Sequence, residues 1–396
     1  MPNFLSRAEE LFEYTQALRR DFHMYPELGF HEVRTAGIVA QELQALDMEV
    51  TTGIAKTGVV GMLEGGKPGP VVLVRFDMDA LPVTEETGAS YASTVPGVMH
   101  ACGHDGHTAI GLTVAKMLHA YRDQLAGSVK FVFQPAEEGT CGEEIGGNEM
   151  MIREGVLENP KPDIALALHL WNEKPLGWVH VAGGAVMAGA EEFKITVAGK
   201  GGHAAIPHQT VDPVLAVSQI VSALQSITSR NVAPLQAAVV SVTMIHAGET
   251  FNVIPPKAKM EGTIRTFELT TRETVLKRFE EIVHGVADAM GCTADVKIKR
   301  LTPAILNDEE IAARLAARVP EILPDANLDT APNLTMGAED MAFMLEQVPG
   351  CYFFVGSANA EKGLNYGHHH PKFDFDEAAL PRAAALMAGA VAEFLE

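Results

Sequence analysis

The sequence lacks any apolar run near the roughly 18 residues that a membrane-spanning helix needs. Residues 1–12 include Arg7, Glu9 and Glu10 and contain no apolar core of a signal peptide. Basic residues are also scarce, because 30 lysines and arginines stand against 51 aspartates and glutamates, giving a net charge of −21. No basic cluster is present, whereas a nucleic-acid-binding face requires one. We therefore expect a cytoplasmic protein without a membrane or nucleic-acid partner.

Cysteine is scarce as well, with four residues that lie far apart at positions 102, 141, 292 and 351. Their spacing does not suggest a disulfide-stabilised domain. In a reducing compartment, a cysteine beside a histidine is more typically a metal ligand or a nucleophile. The 15 histidines are therefore informative, because several of them cluster.

The length of 396 residues exceeds one ordinary hydrophobic core, so two domains are expected. In the first part, the apolar runs 70–76, 129–133 and 164–170 are typical of buried strands, and they alternate with amphipathic helical segments such as 6–23. This alternation predicts an α/β layer with a sheet covered on both faces.

A different pattern begins near Glu191, where apolar residues alternate with polar ones as in a strand with one wet face. Helical segments then start near Asp212 and Thr271, and they are interleaved with further strand-like runs that end near residue 298. The resulting order β-α-β-β-α-β is that of ferredoxin-like folds. We therefore predict that residues 187–298 form a domain inserted into a discontinuous first domain, 1–186 and 299–396.

The strongest chemical signal is the segment Met99–His107, which reads MHACGHDGH and precedes a predicted helix. Cys102 and His104 flank Gly103, and a tight turn there can direct both side chains at one transition metal. A lone Cys-Gly-His would be weak, but four histidines and cysteines in this segment strengthen the interpretation.

A second signal is Phe133–Gly139, FQPAEEG, where the adjacent carboxylates of Glu137 and Glu138 follow a buried strand. Taken alone, this motif is more simply a solvated turn. Beside a metal, one glutamate can bind the ion while the other accepts a proton from metal-bound water.

Three further groups lie at the ends of predicted strands or in a late histidine cluster. Asp77 and Asp79 could orient ligating histidines, His169 ends an apolar strand, and residues 367–371 read GHHHP. A lone histidine such as His169 is more often a core residue. Five sets of metal-binding side chains in one α/β layer nevertheless predict a metal centre.

The sequence resembles the metallopeptidase-type amidohydrolases, which include hippurate hydrolase, N-acyl-amino-acid amidohydrolases and the plant auxin-conjugate hydrolases. The resemblance runs nearly end to end, through the motifs YPELGF, DMDALP, GVMHACGHD, QPAEEG, GGHAAIP, FNVIP and HHPKF. It implies a zinc-peptidase-like catalytic domain with an inserted ferredoxin-like α+β lid that dimerises. A homodimer is expected, with a homotetramer as the alternative.

The resemblance also implies roles for individual residues. The positions that bind a pair of divalent metals, which could be Mn, Zn, Co or Ni, correspond to Cys102, His104, Glu138, His169 and His369. Cys102 matches a bridging ligand, Glu137 matches the general base, and Asp79 matches a carboxylate that orients ligands. The remaining histidines that we considered are interpreted as structural or as supports for the ligands: His100, His107, His208 and His246.

Three residues of the predicted insert gain roles in the same way. His203 matches a histidine that reaches a neighbouring active site and stabilises the oxyanion. Asn252 and Arg265 match positions that hold the substrate carboxylate, for which the forked guanidinium of arginine is well suited. Without the resemblance, Arg265 would be interpreted as a solvated strand residue.

Two features depart from the family pattern or leave it open. The segment Thr140–Gly147 is longer than the usual glycine turn, so pocket shape and substrate choice stay open. The triplet at 368–370 allows more than one register, and His369 is preferred because relatives place the ligand two residues before the proline.

The expected function is metal-dependent cleavage of the amide bond of N-acyl amino acids, either hippurate-like or N-acetylated, to a carboxylic acid and a free amino acid. A dipeptidase or carboxypeptidase with the same dinuclear chemistry is the first alternative, and it would require a free amine in the substrate. A catalytically silent ligand-binding homologue is the second, although it would have no use for Glu137. A Cys102 nucleophile paired with His104 is the third, and chelators would then leave activity intact.

Overall fold

The computed structural model describes residues 3–396, which divide into two compact units. The first unit comprises the described residues up to Gly184 together with Leu306–Asn333 and Asp340–Glu396, and the second comprises Ala185–Ile305 and Leu334–Glu339. The predicted insert, 187–298, lies within the second unit, whose bounds extend further and include a short segment from later in the chain. No helix in the described range has the length and apolar character to cross a membrane.

The first unit is built on an eight-stranded mixed sheet. Its four central strands run parallel and carry apolar runs such as 72–74 that are fully buried, as the valine-rich pattern predicted. The spatial order of the strands is Glu49–Ile54, Gly58–Glu64, Ala126–Gln134, Lys67–Asp77, Ile164–Pro175, Gly350–Ala358, Trp178–His180 and Asn327–Asp329.

Helices supply most of the remaining core of the first unit. Ala379–Leu395 is apolar around most of its circumference and packs against His104–His119 and Phe4–Glu10. The segment 6–23, predicted as one helix, forms two, which meet at Leu11. The helices of this unit are Phe4–Glu10, Phe12–Met24, Val33–Gln44, His104–His119, Gly147–Arg153, Glu309–Ile322, Ala342–Leu345 and Ala379–Leu395, with single turns at Arg122–Gln124 and Ala360–Lys362.

The carboxyl ends of the parallel strands meet at one edge of this sheet. Asp77 pairs with Gln134 where two neighbouring strands end, and His169 pairs with Phe354 on the next two. Loops that leave this edge carry the motifs with metal-binding side chains. Such an edge is where ligands bind in open parallel sheets, so the topology gathers residues that are far apart in sequence.

The second unit contains a four-stranded antiparallel sheet in the order Ala238–Ala247, Lys257–Thr266, Gly189–Ala198 and Thr293–Thr302. The helices Pro213–Ser226 and Leu269–Ala289 contribute to one hydrophobic core with this sheet. Along the chain the order is β-α-β-β-α-β, as in ferredoxin-like folds. The short elements of the second unit are Gly202–His203, Pro207–Gln209, Ile227–Asn231 and Val253–Ile254. The short strands Gly184–Met187 and Ile305–Asn307 each include residues assigned to both units.

Candidate metal centre

The turn before the helix His104–His119 sets the positions of Cys102 and His104. Gly103 adopts a left-handed conformation, with φ of 91°, which glycine reaches without the steric cost of a side chain. His104 begins the helix and is buried, and Cys102 is half-buried. The glycine between the two predicted ligands is therefore required by the geometry of the turn.

Backbone and carboxylate acceptors orient two of the predicted histidine ligands. His104 Nδ1 donates to the Asp79 carbonyl at 3.0 Å and lies 3.2 Å from the Asp79 carboxylate. His169 Nδ1 donates to the Leu170 carbonyl at 2.7 Å. Each ring is thus left with Nε2 for a ligand, and His104 Nε2 is buried without a hydrogen-bond partner. Such oriented histidines are typical of metal sites, and Asp79 contacts one of the predicted ligands.

The adjacent glutamates lie on a sharp turn after the strand Ala126–Gln134. Ala136 has φ of 46°, a left-handed conformation that is strained for a residue with a side chain. The Glu138 amide donates to Asp79 Oδ2 at 3.0 Å, and Glu138 Oε1 lies 4.0 Å from His104 Nε2. Glu137 Oε2 is also 4.0 Å from His104 Nε2. The carboxylates of Glu137 and Glu138 therefore both lie near the imidazole ring of His104.

His369 joins this group from the carboxyl-terminal part of the first unit. Its amide donates to the Ala101 carbonyl at 2.7 Å, and its φ is 65°. Its Nε2 lies 3.3 Å from Glu138 Oε1, and one nitrogen also lies close to Cys102 Sγ. The structure thus brings the preferred member of the histidine triplet to two other predicted ligands.

Each neighbouring histidine has one nitrogen engaged elsewhere, and His368 Nδ1 also lies 3.9 Å from Cys102 Sγ. His368 Nε2 accepts a hydrogen bond from the Asn172 amide at 3.2 Å, so this nitrogen is not available to a metal. His370 Nδ1 accepts from the Lys372 amide at 3.0 Å, and its ring stacks on Tyr366 with centroids 4.6 Å apart. These contacts favour His369 as the ligand in the triplet.

Ligand atoms of the five predicted metal-binding residues form overlapping groups. Cys102, His104 and His169 present atoms that lie within 4.8 Å of one another, and Cys102, Glu138 and His369 do the same. Cys102 belongs to both groups, so its sulfur lies near both sets of predicted ligands. The mixture of imidazole, thiolate and carboxylate suits transition metals, whereas Mg²⁺ and Ca²⁺ prefer oxygen alone. The residues present therefore fit a pair of transition-metal ions.

The protonation of these groups follows from burial and from neighbouring charges. Burial and Glu138 raise the pKa of Cys102, whereas burial and the neighbouring His107 lower the pKa of His169. Hydrogen bonds to Cys102 and Glu138 raise the pKa of His369 to about 10. A metal must therefore displace protons from Cys102 and His369, so metal affinity should rise with pH.

His107, which was expected to be structural or to support the ligands, contacts both of the predicted ligands His104 and His169. Its Nδ1 lies 2.7 Å from Asp77 Oδ1, and its Nε2 accepts from the Leu170 amide at 3.0 Å. Its ring stacks on His104 and meets His169 edge to face, with centroids 5.4 and 4.6 Å apart. His107 thus contacts both predicted ligand rings, and both of its nitrogens are engaged.

A buried ionic network beneath the site was not found from the sequence. Arg75 donates to Asp77 Oδ2 at 2.6 Å, to Gln134 Oε1 at 2.8 Å and to Asp340 Oδ1 at 3.0 Å. The Asp340 amide also lies 3.5 Å from Glu137 Oε1. The sequence contained one signal for this network, which is that Arg75 lies within an apolar strand. A buried guanidinium requires anionic partners, so such partners could have been expected. Asp340 gave no signal, since only the tertiary fold brings it to Arg75.

In the second unit, His203 and Asn252 lie on neighbouring exposed segments. His203 pairs with Val253 in a two-stranded ladder, and the Ala204 amide donates to the Asn252 carbonyl at 3.0 Å. The Ala205 amide donates to His203 Nδ1 at 3.1 Å. Nδ1 is therefore an acceptor, and Nε2 of the exposed ring is left as a hydrogen-bond donor.

Arg265 lies on the strand Lys257–Thr266, opposite Ala190. It is half-buried, and its buried NH1 nitrogen has no hydrogen-bond partner. Burial lowers the pKa of Arg265, although Glu191 opposes this effect. A guanidinium with an unused donor is more consistent with an anion-binding role than with the solvated strand residue that the bare sequence favoured.

Comparison with known proteins places the chain in a family. Residues 73–393 match the model of peptidase family M20/M25/M40. The Bacillus subtilis (strain 168) protein YhaA, named as a candidate amidohydrolase, is 44% identical over 381 residues, covering 96% of this chain and 94% of its own. N-acetylcysteine deacetylase of the same organism is 38% identical over 379 residues, covering 94% of each chain.

A solved structure agrees with these relatives. A Bacillus subtilis protein described as a dinuclear metal-binding peptidase of the M20 family superposes with a TM-score of 0.85 at 34% identity, covering 98% of this chain and 99% of its own. The match of the family model extends over most of the chain, and it includes every predicted metal ligand. The chain therefore belongs to peptidase family M20/M25/M40.

Proposed function

We propose that the chain is a metal-dependent amidohydrolase that cleaves N-acyl amino acids into a carboxylic acid and a free amino acid. The observation that carries this proposal is the convergence of Cys102, His104, Glu138, His169 and His369, with Glu137 beside them. The relative named N-acetylcysteine deacetylase supports an N-acyl amino acid as the substrate class. Hippurate-like and N-acetylated substrates both belong to this class.

Two divalent ions would be held by the five converging residues, with Cys102 between them. Mn²⁺, Zn²⁺, Co²⁺ and Ni²⁺ all suit this donor set. When bound, such ions polarise a carbonyl group and lower the pKa of water. Cys102 would have to remain reduced, and all four cysteines of the described range are free thiols. This requirement favours the cytoplasm, which is the compartment that we propose.

Glu137 is the proton carrier in this proposal. Its side chain is mostly buried, and the Asp340 amide beside Oε1 restrains it. Its carboxylate accepts the proton of the attacking water and then donates it to the amide nitrogen as the bond to the acyl carbon breaks. Glu138 differs from its neighbour because it faces His369 and serves as a ligand.

Residues of the second unit complete the proposed mechanism. Nε2–H of His203 of the partner subunit stabilises the oxyanion of the tetrahedral intermediate. Asn252 and Arg265 hold the α-carboxylate of the substrate. The unused donor of Arg265 and the exposed donor of His203 both support these roles.

A homodimer follows from this assignment, with a homotetramer as the alternative assembly. Support comes from the edge strand Ala238–Ala247, on which Met244 and Ile245 are about half exposed. Phe251, on the following turn, is almost fully exposed. An apolar edge strand is a surface that proteins usually cover by pairing with another chain.

The decisive experiment is hydrolysis of a substrate panel by the metal-reconstituted enzyme. The panel contains hippurate, several N-acetyl amino acids and matched dipeptides with a free or a blocked amine. Preferred cleavage of N-acyl amino acids supports the proposal. Strict dependence on a free amine would instead identify a dipeptidase or carboxypeptidase, and binding without turnover of any compound would identify a silent homologue.

A further inference from the structure

A buried carboxylate from an early segment of the chain contacts the turn that carries Glu137 and Glu138. Glu32 has no exposed surface, and its Oε1 accepts a hydrogen bond from the Ala136 amide at 2.9 Å. Its Oε2 accepts from the Thr57 hydroxyl at 2.5 Å. Both oxygens of Glu32 are therefore engaged, and one of them holds the residue immediately before the proposed general base.

The turn that Glu32 contacts is strained. The φ of 46° at Ala136 costs an alanine on the order of 1–2 kcal/mol relative to the right-handed region. Such a conformation persists only where the surroundings specify it. The Ala136 amide is held by Glu32, and its carbonyl accepts from the Gly147 amide at 3.0 Å.

The segment preceding Glu32 packs directly on the same turn. A Cβ atom on Gly29 would lie 2.9 Å from both Cα and Cβ of Ala136 and 2.6 Å from Cys141 Sγ. Only glycine allows this approach without a shift of backbone atoms. Phe30 also has a left-handed φ of 62°. The segment Gly29–Glu32, which we call the brace, is therefore specified by its contact with the turn.

Stability does not account for a carboxylate at position 32. Within residues 3–396, Glu32 has no ion pair, although a buried carboxylate without a cation is costly. Burial and the charge of Asp79 raise the pKa of Glu32 to about 7. An apolar residue would avoid this cost, but it would leave the Ala136 amide without an acceptor.

We propose that Glu32 is a positioning residue, which holds the strained Ala136 peptide so that Glu137 is aimed at the substrate and Glu138 at the metal site. This inference rests on the proposed function, because the reaction in which Glu137 acts is the proposed amide hydrolysis. The contacts of Glu32 themselves are independent of that reaction.

The first test compares Glu32→Ala with Glu32→Gln. The alanine variant removes the acceptor, whereas glutamine keeps an oxygen for the Ala136 amide. Because small displacements of catalytic groups are costly, we expect Glu32→Ala to lower kcat by roughly 10- to 100-fold with KM within about twofold, and Glu32→Gln to retain about half of kcat or more. Equal kcat for Glu32→Ala and wild type at equal metal content would overturn the proposal.

A second readout needs neither metal nor substrate. In metal-free protein, hydrogen–deuterium exchange of the peptide 134–139 should gain about one fast amide in Glu32→Ala and none in Glu32→Gln. The matched control is Glu27→Ala, which removes side-chain hydrogen bonds to the Arg34 and Thr35 amides at the start of a helix. We expect this control to lower stability without changing kcat or exchange at 134–139. Faster exchange across the whole sheet, without a local change, would indicate a general structural role and contradict the proposal.

A glycine pair provides an independent perturbation if Glu32→Ala does not fold. Gly29→Ala places a methyl group against the Ala136 backbone, whereas Gly37→Ala, on the next helix, meets nothing within 4 Å. We expect Gly29→Ala to lower kcat roughly 10-fold and Gly37→Ala to leave it unchanged. Unchanged kcat in both variants would contradict the role of the brace. Failure of the wild-type enzyme on the whole N-acyl panel would instead reject the proposed function and leave the exchange experiment to decide on Glu32.

Discussion

The two units hold their predicted site residues in different ways. In the first unit, Cys102, His104 and His169 lie at the end of a buried parallel sheet, where hydrogen bonds to the backbone and to Asp79 orient the imidazoles. In the second unit, His203 and Asn252 lie on exposed segments with few restraints. The first arrangement is organised before any ligand binds. The second lies at the surface and is held by fewer contacts, so the two regions should respond differently to perturbation.

The largest effect should come from removing the metals. Chelation is expected to abolish activity, and Mn²⁺, Co²⁺, Zn²⁺ or Ni²⁺ should restore it, with metal analysis approaching two ions per chain. Because the ligands are already oriented, the fold of the first unit should persist in the metal-free protein. Full activity without metal would reject the metal centre and favour a Cys102 nucleophile.

Substitution of each of the adjacent glutamates should affect a different function, which is proton transfer for Glu137 and metal binding for Glu138. Glu137→Gln should keep both metals and lower kcat by about 10²–10⁴, because only the proton carrier is lost. Glu138→Gln should instead weaken metal binding, measured by titration with the metal itself. The opposite outcome would mean that the two roles are exchanged.

Substitution of His203 tests the proposed role of an exposed residue of the second unit. His203→Ala should lower kcat by about 10²–10³ without changing metal content, because one oxyanion donor is removed. Mixing His203→Ala and Glu137→Ala homodimers under subunit exchange should restore about a quarter of wild-type activity, since half of the dimers then contain one intact site. Demonstrated exchange without recovery would place His203 in its own active site or outside the chemistry.

Arg265 should show a smaller effect that depends on the substrate. Blocking the α-carboxylate as an amide should lower kcat/KM by about 10²-fold, because the guanidinium then lacks its anionic partner. In Arg265→Gln, the acid and amide forms of the substrate should be hydrolysed with more similar kcat/KM, because the proposed contact with the carboxylate is absent. Equal hydrolysis of acid and amide by the wild-type enzyme would exclude a carboxylate clamp.

Much of the first unit could be predicted from sequence, because each strand-end motif is short and local. Cys102-Gly103-His104 and Glu137-Glu138 are contiguous, and parallel strands bring such motifs together. The contacts of Arg75 and Asp340 could not be predicted, since they depend on strand register and on a turn more than 200 residues away. The brace was also missed, because neither the strain at Ala136 nor the acceptor for its amide is visible in the motif QPAEEG.

The smallest effect on activity is expected from Glu32→Gln, which instead changes how stability depends on pH. Because the pKa of Glu32 is raised from 4.5 to about 7 in the fold, protonated Glu32 is stabilising, and this contribution is present in full below pH 4.5 and is lost as the pH rises from 4.5 to about 7. Glutamine does not titrate, so the free energy of unfolding of metal-free Glu32→Gln, relative to that of the wild type, should increase between about pH 4.5 and 7 and level off above pH 7. The change should approach about 3 kcal/mol, measured by urea unfolding. Glu249→Gln, at an exposed position of the second unit, should show no such change. If the difference in free energy of unfolding between Glu32→Gln and the wild type did not change with pH, the pKa of Glu32 would lie near its ordinary value. Burial would then not disfavour the charge of Glu32.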